Sequence, residues 1–286
     1  MKRIIVLLLT ILILLLSACS SKPQENSDFE IGASFYPIYI TALNVADGIE
    51  GVTVKNMSDG HAGCLHDYQL KTDDVVFVKN CDVFLIGGSG AENFLDKLIS
   101  QLPDAKIVDT SEGFALIEDN PHVWVSIEGC IYQTEKIAQA LIEKDPKNKE
   151  AYRKNADAYI EKLQALAKKM HDSLDNIENN KIVTMHEAFP YFAKEFSLDI
   201  VGVINREPES TPDAKEIKET VDLIKKLGVP AIFAEPQYSK SAADTIANET
   251  GAKVYSLDPV TSGENDKNAY INAMEKNLTA LEEALK

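Results

Sequence analysis

Residues 147 to 178 run without a glycine or proline, and apolar side chains recur along them every three or four positions: Tyr152, Ala156, Tyr159, Leu163, Leu166, Met170, Leu174 and Ile177. That spacing draws a single apolar stripe along one face of a helix. Asp145 and Pro146 ahead of it supply a cap and a first-turn proline. These 32 residues, at a rise of 1.5 Å each, reach about 48 Å, enough to lie along two small domains. Taken alone, the stripe would suit a coiled-coil partner equally well. The flanking sequence favours a helix packed along two domains.

On either side, short β-branched runs alternate with amphipathic segments. Strands are expected at 31–35, 52–55, 83–86 and 106–108, and helices at 38–46, 72–79, 91–101 and 127–143. Beyond the long helix the scheme repeats, with strands at 182–185, 200–204, 231–234 and 253–257 and helices at 187–196, 212–227, 240–249 and 266–285. Thr211-Pro212 reads as an N-cap followed by a first-position proline, and Gly228 with Pro230 stops that helix. Such alternation implies parallel sheets flanked by helices. The chain is therefore read as an α/β protein of two lobes, 29–145 and 180–286, joined by one long rigid helix over 146–179.

The first residues set the compartment. Lys2 and Arg3 precede an apolar run over residues 4 to 16, too short to span a bilayer comfortably and the size of a signal-peptide core. Leu16-Ser17-Ala18-Cys19 then resembles the lipobox of bacterial lipoproteins, in which cleavage after residue 18 leaves Cys19 as the lipid-bearing N-terminus. The alternative is an ordinary signal peptide with an incidental cysteine. Residues 19–28 read as a lipidated tether. The formal charge is −16; removing 1–18 leaves 27 basic against 45 acidic residues, or −18. So acidic a chain is a poor partner for nucleic acid. Three cysteines remain, Cys64, Cys81 and Cys130, with neither zinc-ribbon nor redox spacing. Gly87-Gly88-Ser89-Gly90 lacks the spacing of a phosphate loop and reads as a tight turn.

There are five histidines. His171 follows stripe residue Met170 and belongs to the long helix; His61 lies in the Gly60-His61-Ala62-Gly63 loop. His66, His122 and His186 fall at or after the carboxyl ends of expected strands, as does Asp258. Ligands of open parallel sheets bind at those ends. Two candidates come from each lobe, so they would face one another across a cleft. Three imidazoles and a carboxylate suit a borderline divalent cation. Glu235, after another strand of the second lobe, would accept a hydrogen bond from a ligand imidazole or merely hold the Pro236 turn. No local metal motif joins these positions.

His66-Asp67-Tyr68, Asn120-Pro121-His122-Val123-Trp124, His186-Glu187-Ala188-Phe189, Ala234-Glu235-Pro236-Gln237 and Ser256-Leu257-Asp258-Pro259 occur in that order. Together with the lipobox they resemble the zinc- or manganese-binding lipoproteins of ABC metal importers, the cluster A-I solute-binding proteins. The resemblance implies two α/β lobes on one rigid helix and a metal between them held by His66, His122, His186 and Asp258. It further implies a monomer, anchored through Cys19 to the outer face of a bacterial cytoplasmic membrane, that delivers its ion to an ABC permease. Two features depart from the family pattern: residues 113–120 are too short and histidine-free to be a metal-collecting loop, and Cys64 precedes His66 by two positions. Cys64 and Cys130 flank two ligand loops and are the pair expected to bridge if any does. Histidine at 186, where manganese-type relatives place an acidic residue, favours Zn2+, with Mn2+ the alternative. A metal-dependent hydrolase and a surface adhesin are the rival functions. Against the hydrolase, Pro190 stands where HExxH needs its second histidine, and Asp258 closes the open position catalysis requires.

Overall fold

The computed structural model describes residues 29–61, 63, 65, 68–204 and 212–286. The expected signal peptide, tether, lipidated Cys19, Cys64 and His66 lie outside the described residues. Among those described, no helix is long and apolar enough to cross a membrane.

The first lobe is built on β1 (Phe29–Ala33), β2 (Val52–Asn56), β3 (Val83–Ile86) and β4 (Ile107–Asp109). They form one parallel sheet in the order β2-β1-β3-β4, with Ile31 in register with both Val54 and Val83. The second lobe repeats it with β5 (Lys181–Thr184), β6 (Asp199–Val203), β7 (Ala231–Ala234) and β8 (Lys253–Ser256), in the order β6-β5-β7-β8. The helices are α1 (Tyr36–Val45), α2 (Thr72–Asn80), α3 (Asp96–Gln101) and α4 (Ile127–Lys144), then α5 (Lys149–Leu174), α6 (Pro190–Glu195), α7 (Ala214–Leu227), α8 (Ser241–Thr250) and α9 (Ala269–Leu285). The expected architecture of two parallel-sheet lobes with a long helix between them is present.

The long helix is shorter than its stripe suggested. Pro146–Asn148 forms a 3-10 turn, drawn tight by Asp145, whose Oδ2 accepts from Asn148 Nδ2 at 2.7 Å and from the Tyr152 hydroxyl at 2.8 Å. At the other end the helix stops at Leu174, before a stretch rich in Asp and Asn, side chains that compete with helical hydrogen bonds. Its 26 residues span about 39 Å. The seven helical stripe residues, Tyr152 through Leu174, are buried. Other limits also move. The expected 91–101 helix divides into a 3-10 turn at Asn93–Leu95 and α3, and α6 starts only at Pro190, where proline suits the first helical position and disfavours helix before it. Asp213, not Thr211, caps α7: its carboxylate accepts from the Lys215 and Glu216 amides, and Glu216 reaches back to the Asp213 amide. Gly228 ends α7 in the left-handed region at φ 64°, as expected.

One apolar core runs through both lobes. Ile31 and Phe84 of the first sheet, Tyr152, Leu163 and Met170 of α5, Phe189, Phe192 and Phe233 of the second lobe, and Met274 of α9 belong to it. A smaller cluster, including Val183, Val221, Ile224 and Ile246, fills the space between the second sheet and α7 and α8. Polar contacts also cross between lobes. Trp124 Nε1 donates to the Pro259 carbonyl at 2.8 Å, and the Tyr270 hydroxyl reaches the carbonyls of Trp124 at 2.9 Å and Ser126 at 3.1 Å. Glu195 of α6 accepts from the Ile127 and Glu128 amides at the start of α4, at 2.7 and 3.1 Å. Burial pushes its carboxyl up to about 7.

Of the expected Cys64–Cys130 pair, only Cys130 lies among the described residues. Cys130 is a free thiol on α4, 1% exposed in the core beside Thr41, Tyr159 and Tyr270. It faces the packed interior, where burial pushes the thiol up to about 12.

Candidate metal centre

Parallel strands place all their carboxyl ends at one edge of each sheet, and the loops leaving those ends carry the candidate ligands. His122 sits beyond β4, His186 two residues past β5, Glu235 directly after β7 and Asp258 two residues past β8. The structure brings His122 and His186 together across the lobe boundary, ring centroids 4.9 Å apart and nearly perpendicular. They are 2% and 3% exposed and line a cavity of about 540 Å³ together with Glu118, Asp119 and Glu187. Among the described residues, no three His, Cys, Asp or Glu side chains make a cluster that could hold a metal by themselves. His66, the expected partner from the first lobe, is outside that set. His171 is elsewhere, on α5, with Nδ1 2.9 Å from Asp175 and its ring against Phe196.

Hydrogen bonds determine which imidazole nitrogen carries the proton. Asn120 Nδ2 donates to the Glu187 carbonyl at 2.8 Å, which fixes the amide orientation and makes Oδ1 the acceptor. That Oδ1 is 3.0 Å from His122 Nδ1, so Nδ1 bears the hydrogen and Nε2 keeps its lone pair. The Tyr191 hydroxyl holds the same segment by donating to the Asn120 carbonyl at 2.6 Å. His186 Nδ1 faces Glu235 Oε1 at 3.3 Å. Glu235 is 1% exposed, and neither carboxylate oxygen has a hydrogen bond that meets normal geometry. A buried carboxylate so poorly paired is costly unless positive charge is nearby. A cation on the far side of the His186 ring would supply it.

Asp258 is held on all sides. Its amide donates to Asn277 Oδ1 and its carbonyl accepts from Asn277 Nδ2, both at 2.8 Å. Oδ1 accepts from the Val260 amide at 2.8 Å and from Gln237 Nε2 at 2.9 Å. Val260 adopts φ 59°, a conformation that β-branched residues avoid and that costs on the order of 1–3 kcal/mol. The turn that bears this strain is the one that aims the Val260 amide at Asp258. Trp124 ties the loops of His122 and Asp258: its ring is 5.2 Å from that of His122 and 4.8 Å from Phe35, while its indole N–H reaches Pro259.

Sequence reasoning placed His186, Glu235 and Asp258 at or just past strand ends, where they stand, and His122 after the fourth strand, where it precedes a 3-10 turn over Val123–Val125. It assigned no role to Gln237, Asn277 or Val260. Gln237 was visible only as a neighbour of Glu235, and the other two gave no local signal.

Residues 31–284 match the family described as "ZnuA: Zinc-uptake complex component A periplasmic". The chain is 31% identical to the zinc-binding lipoprotein AdcA of Streptococcus pneumoniae over 99% of its own length, and spans 61% of that protein's. It is 32% identical to the manganese-binding lipoprotein MntA of Halalkalibacterium halodurans, over 74% of this chain and 75% of that one. The Zn(II)-bound ZnuA-like domain of Streptococcus pneumoniae AdcA superposes with a TM-score of 0.80 at 30% identity, covering 90% of this chain and 99% of that domain.

Proposed function

This chain belongs to the ZnuA family of zinc-uptake component A proteins, and on that premise we propose that it captures a divalent cation outside the cytoplasmic membrane and passes it to an ABC permease. The ion is zinc, with manganese the second reading, since relatives named for each metal match the chain. The ligands are His66, His122, His186 and Asp258, with Glu235 accepting from His186; His66 rests on its sequence motif. The supporting observation is the pair of buried imidazoles, one from each lobe, packed edge to face with Nδ1 of His122 beside Asn120 and Nδ1 of His186 beside Glu235. The protein is a carrier and not an enzyme, a monomer divided into 29–145, 146–179 and 180–286, and held to the membrane through lipid on Cys19.

Elemental analysis of protein purified without added metal should find one zinc per chain. His66→Ala, His122→Ala and His186→Ala should each weaken zinc binding about 100-fold or more, while His171→Ala leaves it unchanged. Calorimetric titration of the four variants decides the assignment, and wild-type affinity in any of the first three would remove that residue from the site. Zinc affinity should also fall as pH drops, because protons compete for the same lone pairs.

A further inference from the structure

We propose that Gln237 is a positioning residue that sets zinc-over-manganese selectivity, by committing one oxygen of Asp258 and leaving only the other to the ion. The inference rests on Asp258 being a ligand, as proposed above. Oδ1 of Asp258 accepts two hydrogen bonds, from Gln237 Nε2 and the Val260 amide, whereas Oδ2 takes none among the described residues. A carboxylate oxygen has two lone pairs, so Oδ1 is already filled. Chelation by both oxygens would require one of those bonds to break. The Val260 bond is built into a buried left-handed turn, and Asn277 fixes the Asp258 backbone from behind. The Gln237 amide is the adjustable one.

Gln237 also satisfies Asp258 at its own expense: its Oε1 is buried without a hydrogen-bond partner. A carboxylate restricted to one oxygen supplies a single donor, which suits four-coordinate zinc. Manganese favours oxygen ligands and octahedral surroundings, and loses more when the second oxygen is withheld. Selectivity is thereby set by a residue that does not touch the ion.

The test is a competition titration of the purified chain with a chromogenic chelator, for zinc and manganese separately, on wild type, Gln237→Ala and Asn277→Ala. In Gln237→Ala the ratio of zinc to manganese affinity should fall about tenfold, the scale of outer-shell effects on metal sites. In Asn277→Ala, which loosens the Asp258 backbone but spares Oδ1, both affinities should fall together at constant ratio. X-ray absorption of the manganese-loaded protein should show a higher coordination number in Gln237→Ala than in wild type. Should Gln237→Ala not fold, Gln237→Met keeps the bulk without the donor and must show the same change of ratio. A ratio within about threefold of wild type in a folded variant, judged by equal melting temperature, overturns the inference and leaves the proposed function standing. A wild-type chain that binds neither ion overturns both.

Discussion

Two imidazoles reach the cleft from the two lobes, and the groups that face their Nδ1 atoms are not residues legible as ligands. Asn120 Oδ1 fixes the proton of His122 on Nδ1, and Glu235 lies 3.3 Å from Nδ1 of His186. Trp124 works at the same scale: its ring packs against His122 while its N–H reaches Pro259, beside Asp258. Trp124→Phe preserves the ring and deletes the donor, leaving the Pro259 carbonyl unpaired in a buried place. Chemical denaturation should register a loss of about 1 kcal/mol, and zinc affinity should fall because the two ligand loops are no longer tied; unchanged affinity would confine the indole to packing. The positions of His186 and Asp258, each two residues past a strand, were readable because short motifs mark them and strand ends give them a common address. Val260 was not, because nothing in a local pattern announces a positive φ, and Asn277 stands 19 positions from the aspartate it holds.

At the scale of elements, periodicity located nearly every strand and helix, and the errors fell at their ends. The stripe of α5 predicted its buried face correctly but overran its limits, because apolar spacing continues through residue 177 where Asp and Asn already end the helix. The contact between α6 and α4 was illegible for a different reason: Glu195 resembles any solvated glutamate until the fold sets it on the Ile127 and Glu128 amides. Burial raises its carboxyl from 4.5 to about 7, and Glu92, enclosed by Ser34, Gly87 and Gly88, is raised likewise to about 7. The unfolded chain titrates both near 4.5, so the folded state binds more protons between these values. Stability contributed by the two groups is therefore complete below about 4.5 and lost as pH rises through 7. The melting temperature of the metal-free protein should rise between pH 8 and pH 6, and Glu195→Gln should flatten that rise. A slope identical to wild type would show that this carboxyl is not raised in the folded protein.

For the molecule as a whole, the connection between lobes decides how it can respond to the proposed ion. Two lobes joined only by flexible strands can swing as a hinge, with a few residues absorbing the change. Here α5 packs on α1 and α4 of the first lobe and on α9 of the second, and α9 itself touches α1. The core that passes through them is continuous, so opening the cleft would separate apolar surfaces already excluded from water. It would also break the bonds from Trp124 to Pro259, from Tyr270 to Trp124, from Tyr36 to the Glu264 carbonyl and from Asn44 to the Lys267 carbonyl. Liganding one ion can reorganise loops without opposing all of these contacts, whereas closing a wide cleft cannot. Metal loading should therefore change the radius of gyration by less than about 1 Å, in the range of pre-organised binding. Protection from hydrogen exchange should increase in the loops after β4, β5 and β8 and stay constant along α5. Small-angle scattering with and without zinc measures the first quantity and exchange mass spectrometry the second. A contraction of several Å, or new protection spread along α5, would mean that the lobes move as hinged bodies and that the shared core does not hold them.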